Sequence, residues 1–119
     1  MNDKKIISLV LITLFAFIAT TTAVSASTME PDQTFTITNI TFIQHGEPAD
    51  EYYCVITTNN SDVIYMYQAD YQLATQDGNY DLVGKNITAD INTGVTAGYN
   101  DNAKEIYTLK EVNGKPVNN

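Results

Sequence analysis

The chain is 119 residues long and carries 14 acidic against 6 basic residues, all of them lysine, for a formal net charge of −8. Nucleic acid binding draws much of its affinity from cations that neutralise phosphates, and anionic lipid surfaces need the same cations, so this balance argues against both partners. The single cysteine, Cys54, leaves no route to an internal disulfide.

The chain opens MNDKK, runs uncharged through IISLVLITLFAFIAT and continues TTAVSA. A short basic start, an apolar segment and small residues before a cut are the layout of a secretory signal peptide. Val24 and Ala26 fit the positions three and one before cleavage, which places the signal peptide over residues 1–26. The competing reading is a retained anchor, since the uncharged run from Ile6 to Thr28 is long enough for a bilayer core of roughly 30 Å. The Thr- and Ala-rich second half, with no basic cluster behind it, favours cleavage. Cutting 26 residues from 119 leaves 93, with 4 lysines against 13 acids and a net charge of −9. That is one small domain, which buries about 60 to 70% of its unfolded surface. Cys54 lies too far from the cut to anchor a lipid, and no sorting motif or second apolar tail follows. A secreted, extracellular protein is expected, with no membrane contact after cleavage.

Residues 27–33, STMEPDQ, read as a flexible leader, and from Thr34 the text is rich in Thr, Tyr, Ile and Val, as strands are. TFTITNITFIQ contains a slip of parity: Phe35 and Ile37 share one face, Ile40 and Phe42 the other, which implies a bulge near Thr38-Asn39. HGEPAD is a turn on Gly46 and Pro48. EYYCVITT is apolar on both faces and is expected to be a central strand, closed by a turn at Asn59–Asp62. VIYMYQADYQL alternates, which predicts one strand with Val63, Tyr65, Tyr67, Ala69, Tyr71 and Leu73 on its buried face. Asp77-Gly78-Asn79 predicts a second hairpin. Residues 80–91 read as a strand with Ile87, Ala89 and Ile91 in phase, then a turn at Asn92–Gly94 and a short strand VTAGYN. KEIYTLKEV is the last strand, and residues 113–119 a flexible tail. Six or seven strands between regular turns predict an all-β fold over residues 34–112, a sandwich of two antiparallel sheets.

The order TITNITF, turn, YYCVITTNNSD, then a strand ending YQLATQDGNYDLVG resembles the FxLYD and telokin-like immunoglobulin-fold domains of exported, largely bacterial proteins. Tyr71 and Leu73 match the family's aromatic-x-Leu, and Asp77-Gly78 its hairpin. Ala74 and Thr75 depart from its Tyr-Asp, and its Pro-Gly before a later strand is missing. The resemblance covers residues 35–110, implies an immunoglobulin-like sandwich, and carries over no catalytic residue.

Several residues invite a functional reading. His45 is the only histidine, in a turn without a companion nucleophile motif, so a solvated turn residue is the better reading. Asp77-Gly-Asn79-Tyr-Asp81 spells the opening of a calcium loop, but Leu82 and Thr88 stand where the template wants Gly and Glu; a structural turn is favoured, with weak calcium binding at residues 77–81 the alternative. Tyr65, Tyr67 and Tyr71 suit either a binding platform or a core, and their apolar company favours the core. Tyr52, Tyr80 and Tyr99, near turns, are the better candidates for exposed contacts. Asn39, Asn59 and Asn86 head N-x-[ST] sequons, which matter only in a eukaryotic secretory route. Cys54 lies among apolar residues without a nearby lysine and is expected to pack as a small hydrophobe.

No residue is assigned to catalysis, cofactor or metal. The expected protein is a small secreted acidic domain, not an enzyme, that binds an extracellular protein or glycan through loops or an edge strand. The alternative is a secreted antimicrobial or toxin-like effector, against which its negative charge counts, since membrane attack normally uses cationic faces.

Overall fold

The computed structural model describes residues 27–118; the expected signal peptide lies outside them. Six strands and one short helix follow in order: β1 (Thr28–Phe42), β2 (Cys54–Thr58), β3 (Val63–Met66), α1 (Gln68–Ala74), β4 (Asn86–Ala97), β5 (Asn100–Val112) and β6 (Lys115–Pro116). The fold is all-β apart from that helix, but there is no sandwich. One sheet runs β3-β2-β1-β4-β5-β6, and β3 pairs with β5 in parallel, so the five long strands close on themselves as a barrel.

The reason lies in the long first strand. Its first half pairs antiparallel with β4 and its second half with β2, and the register with β2 slips between Ile37 and Asn39. This is the bulge that the parity slip announces. Instead of sending the strand to two separate sheets, it bends β1 so that both halves serve one closed sheet. The closed order β1-β2-β3-β5-β4-β1, with the helix between β3 and β4, is the connectivity of the five-stranded Greek-key barrel known as the OB-fold. The seam is narrow, with only Ile64↔Lys104 and Tyr65↔Glu105 paired across it. Both β5 residues there are held: Lys104 Nζ meets Asp62 Oδ1 at 3.0 Å, and Glu105 accepts the Tyr52 hydroxyl at 2.9 Å.

The predicted strand from Val63 to Leu73 is divided. It ends at Met66, and Gln68–Ala74 form α1. Gln, Ala and Leu are good helix formers, and the partly or fully buried positions Asp70, Tyr71, Leu73 and Ala74 follow a helical period rather than an alternating one. Within β3 the buried residues are Ile64 and Met66, while Val63 is 50% exposed, so the predicted phase is one residue off. Asp77–Asn79 therefore connects a helix to a strand and closes no hairpin. Residues 92–94 do not end β4 either: the strand continues to Ala97 through a register shift between Thr93 and Val95, where Gly94 takes a positive φ. β1 starts at Thr28, within the segment read as a leader, and β6 lies in the segment read as a tail.

The barrel interior is filled by Phe35, Ile37, Cys54, Ile56, Ile64, Met66, Ile87, Ala89, Ile91, Ile106 and Leu109, with Ala74 of α1 and Leu82 buried in the same cluster. The expected phase of Ile87, Ala89 and Ile91 is observed. A second, smaller cluster lies apart from it. Tyr52, Ala97 and Ala103 are buried there, flanked by Ile43, Ala49, Tyr65 and Val95. It joins the β1–β2 loop (residues 43–53) to the tip of the β4–β5 hairpin, and this arrangement makes the site described next.

Candidate functional site

Three outward positions share one row across the sheet. Thr41 of β1 pairs with Val55 of β2, which pairs with Tyr65 of β3. The 43–53 loop stands on one side of this floor with Glu47, Pro48 and Ala49, and the hairpin tip on the other with Gly98, Tyr99 and Asn100. The space between is an open groove of about 560 Å³, with Phe42 among its lining.

The two loops touch beneath the groove. Gly98 has φ +61°, a left-handed conformation that favours glycine, and a Cβ there would lie 3.4 Å from that of Pro48, which shows how closely the two loops approach. Tyr52 fixes the 43–53 loop to the barrel. Its ring centroid lies 5.0 Å from that of Tyr65 and 4.7 Å from that of Tyr67. Its buried hydroxyl donates to Glu105, and burial, reinforced by that carboxylate, pushes the phenol well above its ordinary range. Glu105 also accepts from Asn92 Nδ2 at 3.4 Å. Tyr65 is thus backed by Tyr52 rather than free to swing. At the other end, Phe42 meets Tyr53 edge-on at 5.5 Å and Tyr71 at 5.7 Å. Tyr99 has no such support and is 93% exposed at the rim.

Charge around the groove has one sign. Glu47 is its only charged lining residue. Of the four lysines beyond residue 26, Lys85 is buried, Lys104 is paired with Asp62, and Lys110 meets Asp32 at 2.7 Å and Asp90 at 3.2 Å. Lys115 is on β6 and lines a different hollow, of about 310 Å³, with Leu73, Val112 and Pro116. That hollow is partly occupied by the chain's own end, since Gln76 exchanges hydrogen bonds of 2.6 and 3.1 Å with Asn118.

The structure separates the candidate residues named above. Tyr65 in the groove floor and Tyr67 before α1 both pack on Tyr52, whereas Tyr71 within α1 packs on Phe42 and Tyr53, so the three do not form one platform. Tyr52 is buried, contrary to expectation, while Tyr80 and Tyr99 are exposed. Asn39 is exposed in the β1 bulge; Asn59 Oδ1 accepts the backbone N–H of Thr36, and Asn86 Oδ1 its hydroxyl. His45 is fully exposed in the 43–53 loop, with Nδ1 3.8 Å from Asp50 Oδ2.

The loop that spells a calcium template holds a different cation. Lys85, 3% exposed, points its ammonium at Asp77 Oδ1 (3.0 Å), Ala74 O (2.9 Å) and Asn79 O (2.5 Å). Backbone N–H groups of Asn79, Asp81 and Val83 donate to the side-chain oxygens two residues before them, which folds the loop round that ammonium. Among the described residues, no three of His, Cys, Asp and Glu converge as metal ligands. Sequence reasoning missed Lys85, although its place between Val83-Gly84 and Asn86-Ile87 marks a lone cation in apolar and neutral text.

No family profile matches this chain, and no curated protein or solved structure is significantly similar to it.

Proposed function

We propose that the protein is an exported, non-enzymatic binding module that holds an extracellular partner in the groove between the 43–53 loop and the β4–β5 hairpin. The observation that carries this reading is a pre-formed groove whose aromatic floor is braced from behind by Tyr52 while Tyr99 is left bare at the rim. A tyrosine presents a large, rigid area with a polar tip at small entropic cost, which is why such residues anchor interfaces. The OB connectivity supports the choice of face, since that barrel binds on strands 2 and 3 between the same two loops; fold alone assigns no ligand.

The test is retention on immobilised protein. Partner recovered from culture medium on the wild-type chain should be held equally by Tyr80→Ala, whose tyrosine is exposed on the loop after α1. It should be lost from Tyr99→Ala, by about tenfold or more for an anchor of this kind. Equal retention by Tyr99→Ala would overturn the groove as the site.

A further inference from the structure

Resting on that reading of the groove, we infer that its occupant is a cationic polypeptide segment, an extended stretch bearing lysine or arginine beside apolar side chains. Three observations carry this. Glu47 lines the groove, and its loop also carries the exposed Asp50 and Glu51; Asp101 follows Asn100 on the opposite wall. No described lysine lines it, because three are held against acids elsewhere and Lys115 lines the hollow beside α1. Tyr65 in the floor and Tyr99 at the rim line the same space, and aromatic faces attract ammonium and guanidinium groups.

These features exclude the anionic ligands with which this barrel is often associated. A nucleic acid or a phosphate- or sulfate-bearing polymer would meet the Glu47 carboxylate in the groove, with Glu51 and Asp101 exposed on the flanking loops, and no lysine. A neutral glycan would use the aromatic faces and donate hydroxyls to Glu47, but it carries no charge to answer the acidic walls. A basic peptide uses both, its cations against the carboxylates and rings, its apolar residues against Val55 and Pro48. The net charge of −9 over residues 27–119 acts in the same direction at longer range, drawing a cationic chain toward the barrel at low ionic strength.

The experiment titrates the protein with three probes: a lysine–leucine decapeptide, a serine–leucine decapeptide of the same pattern, and a neutral chito-oligosaccharide. The lysine peptide should bind at low salt and weaken about tenfold or more in salt that shortens the Debye length to about 5 Å or less. Glu47→Gln combined with Glu51→Gln should weaken it by a similar factor, as should Tyr99→Ala, while Glu111→Gln, which removes a charge far from the groove, should leave it unchanged. No binding of the lysine peptide at low salt would overturn the inference. Equal loss in Glu111→Gln, or none in Tyr99→Ala, would do the same by showing diffuse charge attraction. Binding of the oligosaccharide alone, abolished by Tyr99→Ala and indifferent to salt, would overturn the cationic occupant while leaving the groove itself in place as the site.

Discussion

The ammonium of Lys85 is held inside the D-x-N-x-D loop, bonded to two carbonyls and the carboxylate of Asp77. Removing it strands those oxygens, so Lys85→Met should lower stability by about 2 to 4 kcal/mol, read from the urea midpoint. The wild-type chain should show no rise in melting temperature at about 1 mM calcium, whereas a ligand at a hundred times its dissociation constant would add about 2.7 kcal/mol. Two aspartates respond to pH in opposite senses. The N–H of Asn79 and the Lys85 ammonium hold Asp77 below the usual carboxylate range. Its contribution is complete above the unfolded pKa near 3.9 and is lost as pH falls through the lower folded value. Burial raises Asp70 to about 6, with the charge of Glu105 adding to the effect. The folded state then binds a proton more tightly than the unfolded one, so this group costs stability at pH 7 and the cost disappears as pH falls from about 6 to 4. Asp70→Asn should raise the melting temperature at pH 7 and flatten its dependence over that window; an unchanged slope would show the carboxyl to be solvated. Cys54, fully buried with its thiol pushed up to about 12 by burial, should label slowly in the native protein and rapidly in denaturant. Rapid native labelling would mean that the barrel opens at β2.

At the scale of elements, the 43–53 loop is the part on which the groove depends, and it is tied to the seam strands by the Tyr52 hydroxyl on Glu105 and by the Tyr53 N–H on the Met66 carbonyl. Tyr52→Phe keeps the ring contacts but leaves Glu105 without that donor, at a cost of about 1 to 2 kcal/mol. It should also weaken partner binding with Tyr99 intact, seen as faster amide exchange over residues 46–52. No change in exchange would mean that packing alone holds the loop. The bulge at Thr38-Asn39, the Cys54–Thr58 part of the strand expected over residues 51–58 and the phase of β4 were legible, because each follows from alternation within one segment. The helix was not. Over the seven residues Gln68–Ala74, Ala69, Tyr71 and Leu73 fit a period of two as well as Asp70, Tyr71, Leu73 and Ala74 fit a helix, and so short a window cannot separate them.

For the whole molecule, closure of the sheet was the feature hidden from the sequence. It rests on two residue pairs between β3 and β5, segments about forty positions apart, and parallel pairing of that kind leaves no local pattern. The sandwich expected from the turn spacing, and made immunoglobulin-like by the family resemblance, fails there, since the same turns and the same bulge serve a barrel equally well. The groove was legible only in part. Tyr99 stood out near a strand end, but Pro48 and Tyr65 come to one groove because a loop folds back across the barrel wall. The central claim is that this wall is the binding face. Amide chemical-shift mapping on adding the recovered partner tests it most directly. Perturbations should gather at Phe42, residues 43–53, Val55, Tyr65 and residues 98–101. Perturbations gathered instead round Leu73, Val112 and Pro116, in the hollow beside α1, would contradict it.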